Sequence, residues 1–310
     1  GEAVNWELGP DGPSTRRGEL QEEIATVASV GSTTIRRVIR LQRGVRRIEL
    51  DFELEVVDRC DGVFRVVVPF GFDGHMVAGI PFGAERREGF EEEVFRGEFF
   101  VQGYPNAFYA SRWVDYSGMD CGVTFVAPHG AFTGYDFDPV ARRLEFSLLR
   151  QRSTDATHRG VGTPHMLGLG RHRFTVALVP HDGAWENART FRDAFEQHNP
   201  LAAEIGEGGN QDGDETGTGT DWAAVKVAPG AVVLSAARRS SPREWEVRVY
   251  ESVGREVEAK LQFPQNVRSA ALTDFMGKPL AGAAAVAVKG ETVRFVIHPW
   301  QIATLVVSFG

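Results

Sequence analysis

The fold class is decided by the stretch Ile48-Glu49-Leu50-Asp51-Phe52-Glu53-Leu54-Glu55-Val56. Apolar and acidic residues alternate strictly along it. A period of two places every apolar side chain on one face of a strand and every carboxylate on the other. The pattern therefore predicts a half-buried strand, and we expect its four carboxylates to form the solvated face.

Similar strand patterns recur along the chain. Alternation is clear over residues 144–148 and 245–250, while residues 63–70 read as a more fully buried strand that ends at a Pro-Phe-Gly turn. Glycine and proline interrupt the chain roughly every ten residues, a spacing typical of antiparallel sandwiches. One helix is predicted near 184–198, where Trp185, Ala188, Phe191 and Phe195 recur at helical spacing. We expect it to pack against the edge of the large domain.

A compositional break divides the chain into a large and a small domain. Residues 204–221 contain six Gly and six acidic residues and almost nothing apolar, which predicts a flexible acidic linker. The segment Asp212-Gly213-Asp214-Glu215 resembles part of a calcium loop, but a solvated tether explains it as well. The predicted domains are residues 1–203, all-β with the one helix, and residues 222–310, a small immunoglobulin-like sandwich of seven short strands.

Charge and composition exclude several kinds of partner. The 310 residues carry a formal net charge of −8 without a basic cluster, so nucleic acid is not expected to bind. No apolar run is long enough to span a membrane, and the start Gly1-Glu2-Ala3-Val4 is neither an initiator methionine nor a signal peptide, which leaves open whether the chain is a fragment of a longer gene product. Two cysteines, Cys60 and Cys121, allow at most one disulfide, and reduced thiols are favoured.

The common catalytic motifs are absent from the sequence. It has no phosphate-binding glycine loop, no dinucleotide fingerprint and no Gly-x-Ser-x-Gly elbow. His158, His165 and His172 lie near Asp155 in a glycine-rich stretch, which leaves two alternatives. They are zinc ligands, or they are loop histidines that contact carbohydrate or a neighbouring domain. A glycosidase needs two apposed carboxylates, and no such pair stands out.

One segment combines aromatic rings with planar hydrogen-bonding groups, as sugar sites do. The candidate contacts in it, to carbohydrate or to a neighbouring domain, are Tyr104, Asn106, Tyr109, Arg112, Trp113 and Asp115, and Asp155, His158 and His165 are added from the histidine stretch. The alternative for Tyr109 and Trp113 is that both are core residues of a strand and its turn.

A series of short motifs resembles the C-terminal region of glycoside hydrolase family 38, the α-mannosidases. In the large domain they include Ile80-Pro81-Phe82-Gly83, Arg112-Trp113-Val114-Asp115-Tyr116-Ser117, Gly134-Tyr135-Asp136, Arg171-His172-Arg173-Phe174 and Pro180-His181-Asp182-Gly183-Ala184-Trp185. In the small domain they are Val247-Arg248-Val249-Tyr250-Glu251, Thr273-Asp274-Phe275-Met276-Gly277-Lys278-Pro279-Leu280 and His298-Pro299-Trp300-Gln301-Ile302. Their order is kept over nearly the whole chain.

The resemblance implies an all-β architecture, a galactose-mutarotase-like supersandwich followed by a small immunoglobulin-like β-sandwich. It also implies that the zinc ion, the aspartate nucleophile and the general acid belong to an N-terminal α/β barrel, and no segment of this sequence corresponds to that barrel. No catalytic residue and no cofactor are therefore assigned to this chain, and the partners implied are that barrel, in the same polypeptide, and mannose-containing carbohydrate.

Three hypotheses follow. The chain is a non-catalytic β-region that supports an α-mannosidase barrel and lends residues to the rim of its sugar pocket. Alternatively, it is a stand-alone carbohydrate-binding module, or a mutarotase-like sugar epimerase, which would need a His and a Glu on one concave face.

Overall fold

The computed structural model describes residues 7–8, 12–58, 62–88, 107–127, 134–150, 168–199, 224–283 and 285–310. The chain divides into two compact units, of which the first comprises residues 1–80 and 85–200 and the second residues 81–84 and 201–310. The predicted linker at 204–221, the calcium-like segment and the stretch with Asp155, His158 and His165 lie outside the described residues. No helix in the described part of the chain is long and apolar enough to cross a membrane.

The first unit is built from fourteen strands and two short helices among the described residues. The strands are β1 (Glu7–Leu8), β2 (Ser14–Arg17), β3 (Gln21–Val30), β4 (Thr33–Gln42), β5 (Ile48–Val56), β6 (Val63–Pro69), β7 (His75–Ile80), β8 (Gly83–Arg87), β9 (Ala107–Phe108), β10 (Trp113–Ser117), β11 (Cys121–Val126), β12 (Tyr135–Asp138), β13 (Arg143–Arg150) and β14 (Gly170–Asp182). The helices are α1 (Trp185–Ala188) and α2 (Phe191–His198).

Two antiparallel sheets enclose the core of this unit. The larger has ten strands, in the order β1-β3-β4-β5-β14-β11-β10-β7-β8 with β2 beside β3, and the smaller has the order β6-β13-β12-β9. The strand β5 spans the residues that the alternation predicted, and its Phe52, Leu54 and Val56 lie in the core. Phe137, Leu144 and Phe146 of the smaller sheet are buried in the same core from the other side.

The helical segment differs from its prediction in two ways. One helix was expected near 184–198, but Arg189 has a φ of 58° and separates α1 from α2. The buried Thr190 follows it, and its hydroxyl is hydrogen-bonded to that of Thr124 on β11. The helices contact β10, β11 and β14. They therefore cover the middle of the larger sheet and not an edge.

The second unit is a sandwich of two four-stranded antiparallel sheets. Its strands are β15 (Lys226–Ala228), β16 (Val232–Ser241), β17 (Glu244–Glu251), β18 (Val257–Gln262), β19 (Val267–Thr273), β20 (Ala287–Lys289), β21 (Thr292–Ile297) and β22 (Ile302–Phe309). The sheets have the orders β15-β18-β21-β20 and β16-β17-β22-β19. Valine, leucine and phenylalanine side chains from both sheets form its core.

The all-β fold class is confirmed, and the errors are local. All seven strands expected after residue 222 are present, and the sequence reading missed β15. The strand at 63–70 was expected to be more fully buried than the alternating strands, but most of β6 is only partly buried and Val67 is exposed.

Candidate functional site

The candidate segment around Trp113 lies in a strand that is buried on both faces. Val114 and Tyr116 point into the core between the two sheets of the first unit. Trp113 points to the opposite face and is 5% exposed, because the helices cover it there. Its ring centroid lies 5.3 Å from that of Trp185 and 6.2 Å from that of Phe191. For Trp113 the structure favours the core alternative over a sugar contact.

The other candidates lie in different environments. Tyr109 is 75% exposed, so its ring is open to solvent and available for stacking. The Arg112 guanidinium lies over the Phe195 ring, 4.9 Å from its centroid, and thereby ties the start of β10 to α2. Tyr104, Asn106, Asp155, His158 and His165 lie outside the described residues.

Asp115 forms the centre of a buried polar network. One carboxylate oxygen accepts a hydrogen bond from the Thr124 hydroxyl at 2.5 Å and lies 2.9 Å from Nε2 of His181. The register places these residues side by side, with Asp115 opposite Thr124 on β11 and His181 on β14 beyond. Thr124 also bonds Thr190, the residue before α2. The network therefore joins three strands and the start of a helix.

The surroundings of His181 raise its pKa. Burial alone would lower the pKa of His181, but the Asp115 carboxylate and the nearby carbonyls of Asp182 and Gly183 together raise it above its ordinary value. Gly122 lies directly opposite His181, where a Cβ would be 2.3 Å from Cε1 of the imidazole. Only glycine leaves room for the ring at this position.

This arrangement is suited to holding structure together. Asp115, Thr124, Thr190 and His181 are all buried, so the network presents no open surface to a substrate. The sequence reading nominated Asp115 as a contact and did not identify His181 as its partner. The signal was present in the motif Pro180-His181-Asp182-Gly183, but only the strand register brings the two side chains together.

A second polar cluster lies on the face of β5 opposite the core. Asp51 is buried there, whereas the alternation predicted a solvated face. It is paired with Arg40 on β4 and with Arg173 on β14, the latter at 3.0 Å, and it accepts a hydrogen bond from Thr175 at 2.5 Å. Burial opposes its ionisation, but these partners lower the pKa of Asp51 below its ordinary value. Glu53 and Glu55 make more exposed pairs along the same face.

The described residues contain no group of three or more His, Cys, Asp or Glu side chains that could hold a metal ion. His172, a member of the proposed histidine set, places Nε2 2.7 Å from the carbonyl oxygen of Gly168 and its ring beside Phe174. The described residues thus do not fit a zinc ion, and we derive no chemistry through one. Cys121 is an exposed free thiol, and Cys60 lies outside the described residues.

Comparison with known proteins supports the family resemblance in sequence. Residues 231–305 match the glycosyl hydrolases family 38 C-terminal beta sandwich domain. Over 202 residues, the chain is 28% identical to alpha-mannosidase 2C1 of Homo sapiens and equally to that of Mus musculus. The alignment covers 64% of this chain and 17% of each relative.

The fold is similar to that of two larger solved structures. One is an alpha-mannosidase from Enterococcus faecalis V583, with a TM-score of 0.70 and 14% identity. The other is a protein in the glycosyl hydrolase family 38 from Enterococcus faecalis, with a TM-score of 0.72 and 14% identity. Both matches cover 99% of this chain but only 35% and 37% of those chains. The predicted resemblance to the C-terminal region of glycoside hydrolase family 38 is confirmed.

Proposed function

We propose that this chain is the non-catalytic C-terminal β-region of an α-mannosidase and that it supports the enzyme's catalytic barrel. The proposal depends on how much of each protein the fold match covers. The fold match extends over 99% of this chain and about a third of each solved protein, so those proteins hold a large part that has no counterpart here. The catalytic groups of the parent enzyme belong to that part.

The polar clusters of the first unit support a scaffold role. One Asp115 oxygen is bonded by Thr124 and His181, while its other oxygen is buried with no hydrogen-bond partner among the described residues. Asp51 is bonded at both oxygens by side chains of the neighbouring strands. Both carboxylates are buried inside the sheet, so they hold strands together and are poorly placed to protonate or attack a glycosidic bond. Retaining, zinc-assisted hydrolysis would be performed by the barrel.

The proposal is tested on the complete gene product. Its coding frame is expected to encode a segment upstream of Gly1 with the barrel's His-x-His motif, and the purified product is expected to hydrolyse an aryl α-mannoside. A chelator should abolish this activity, and added zinc should restore it. A complete product without such activity, or with activity indifferent to chelator, would contradict the assignment.

One observation favours a second candidate, a carbohydrate-binding module. The exposed ring of Tyr109 is the kind of surface on which the C–H face of a sugar stacks. Calorimetric titration of the purified chain with mannose and manno-oligosaccharides separates the two proposals. A scaffold gives no heat of binding, whereas a binding module gives heat that is lost in Tyr109→Ala.

A further inference from the structure

Large apolar side chains are exposed at one end of the second unit. Phe275 is 60% exposed, Met276 82%, Leu280 47% and Trp300 42%. They belong to two connections, the turn after β19 and the residues just before β22. Both connections lie within motifs that marked the family resemblance and that neither polar cluster uses.

The strand pairing brings these two connections together. Thr273, the last residue of β19, is paired with Thr304 near the start of β22, and Leu280 returns to donate its N–H to the Leu272 carbonyl. Arg248 on β17 is paired with Thr304 on its other side, and its guanidinium lies 4.7 Å from the centroid of the Phe275 ring. The pairing of β19 with β22 thus places both connections at the same end of this sheet, and we call their exposed apolar residues the Phe275–Trp300 end.

Hydrogen bonds to side-chain carboxylates hold the backbone of both connections. In the turn, one Asp274 carboxylate oxygen accepts the N–H groups of Met276 at 2.8 Å and Lys278 at 2.9 Å. Before β22, Trp300 has a φ of 58°, an uncommon conformation for a bulky residue.

A buried carboxylate holds Trp300 in that conformation. Glu251 accepts its N–H at 3.0 Å, together with the N–H groups of Val253 and Gly254. Exposed aromatic side chains on a backbone held by hydrogen bonds are typical of a surface that is covered in an assembly.

We propose that the Phe275–Trp300 end is the surface on which the catalytic part of the parent α-mannosidase docks. This inference rests on the proposed function and goes further by naming the contact residues. We assign this surface to the catalytic part because the match covers only about a third of each similar solved protein, and the rest of such a protein is long enough to cover the surface. Arg248 is already paired with Glu246, but Lys278 in the same turn is an exposed basic residue, so the docked part should present apolar residues and a carboxylate that faces Lys278.

Methionine oxidation tests the proposal without any mutation. Met276 in the second unit and Met119 in the first are both highly exposed, at 82% and 92%, whereas Met76 is fully buried. The purified chain and the complete gene product are treated with hydrogen peroxide, and each methionine is followed by peptide mass spectrometry against free N-acetylmethionine. Met276 and Met119 should react alike in the isolated chain, and Met76 should resist. In the complete product Met276 should react about tenfold more slowly, because reactivity follows exposure.

Each outcome decides a separate point. A complete product that hydrolyses the mannoside while Met276 reacts as fast as in the isolated chain would overturn the docking surface and leave the proposed function standing. Protection of Met276 in a product without hydrolase activity would uphold the surface and contradict the proposed function. Protection that appears in the isolated chain and grows with its concentration would show that a second copy covers the surface, which also overturns the proposal.

A pair of matched variants gives an independent test. Met276→Glu places a charge in the proposed interface, and Met119→Glu places the same charge at an equally exposed position of the first unit. Met276→Glu should lower the melting temperature of the complete product and leave that of the isolated chain unchanged, and Met119→Glu should change neither. Equal behaviour of the complete products of the two variants would count against the docking surface.

Discussion

Replacing Asp115 by Ala should destabilise the first unit severely. The side chain is fully buried, and its loss removes the hydrogen bonds from Thr124 and His181 together. Each hydrogen bond to a charged group contributes about 1.5–3 kcal/mol, and removing one partner of a buried ion pair costs about 3–5 kcal/mol in all. We therefore expect a loss of about 4 kcal/mol in the free energy of opening.

Native-state hydrogen exchange is the suitable assay, because the chain has two units and a single unfolding transition need not describe both. The amides of β14 between residues 174 and 181 report on the first unit alone. Asp120→Ala, an exposed carboxylate close in sequence to Asp115, is the matched control and should change the opening free energy by less than about 0.5 kcal/mol. An Asp115→Ala effect no larger than that of the control would refute the role assigned to the network.

Three further predictions concern buried charges. His181→Gln should flatten the dependence of first-unit stability on pH: since the pKa of His181 is raised above 6.5, its contribution is complete below that pH and is lost as the pH rises through the folded-state pKa. Asp51→Asn should destabilise the same unit at pH 7 by about 2 kcal/mol. Because the pKa of Asp51 lies below 3.8, the stability difference between the variant and the wild type, measured by urea titration, should disappear as the pH falls below that value. The control Glu55→Gln changes an exposed ion pair and should have little effect. Glu251→Ala should lower the stability of the second unit by about 3 kcal/mol or more, because three backbone N–H groups lose their acceptor. Hydrogen exchange of the β22 amides measures this loss, and a loss below about 1 kcal/mol would show that water replaces the carboxylate.

The sequence predicted β5 well because the alternation that defines it is local. The same pattern predicted a solvated face and was wrong at Asp51, since Arg40 and Arg173 reach it from strands that lie far away in sequence. A period of two tells which side chains share a face. It carries no information about what neighbouring strands bring to that face.

The candidate site shows the same limit. Trp113 and Asp115 were candidate contacts because aromatic and polar residues stand together in this stretch, and for Trp113 a core position was the alternative. They are buried because α1 and α2 fold back over the outer face of β10. The helical pattern was visible in the sequence, but the break at Arg189 was not. The residue after the break, Thr190, is bonded to Thr124 on a strand far away in sequence.

The proposed scaffold role means that this chain supports the catalytic barrel and does not itself hydrolyse mannosides. It is measured by hydrolysis of an aryl α-mannoside by the purified 310-residue chain, with and without chelator, beside the complete gene product at equal concentration. We expect no hydrolysis by the chain above the buffer blank and chelator-sensitive hydrolysis by the complete product. Turnover by the chain alone that chelator leaves unchanged would refute the scaffold role.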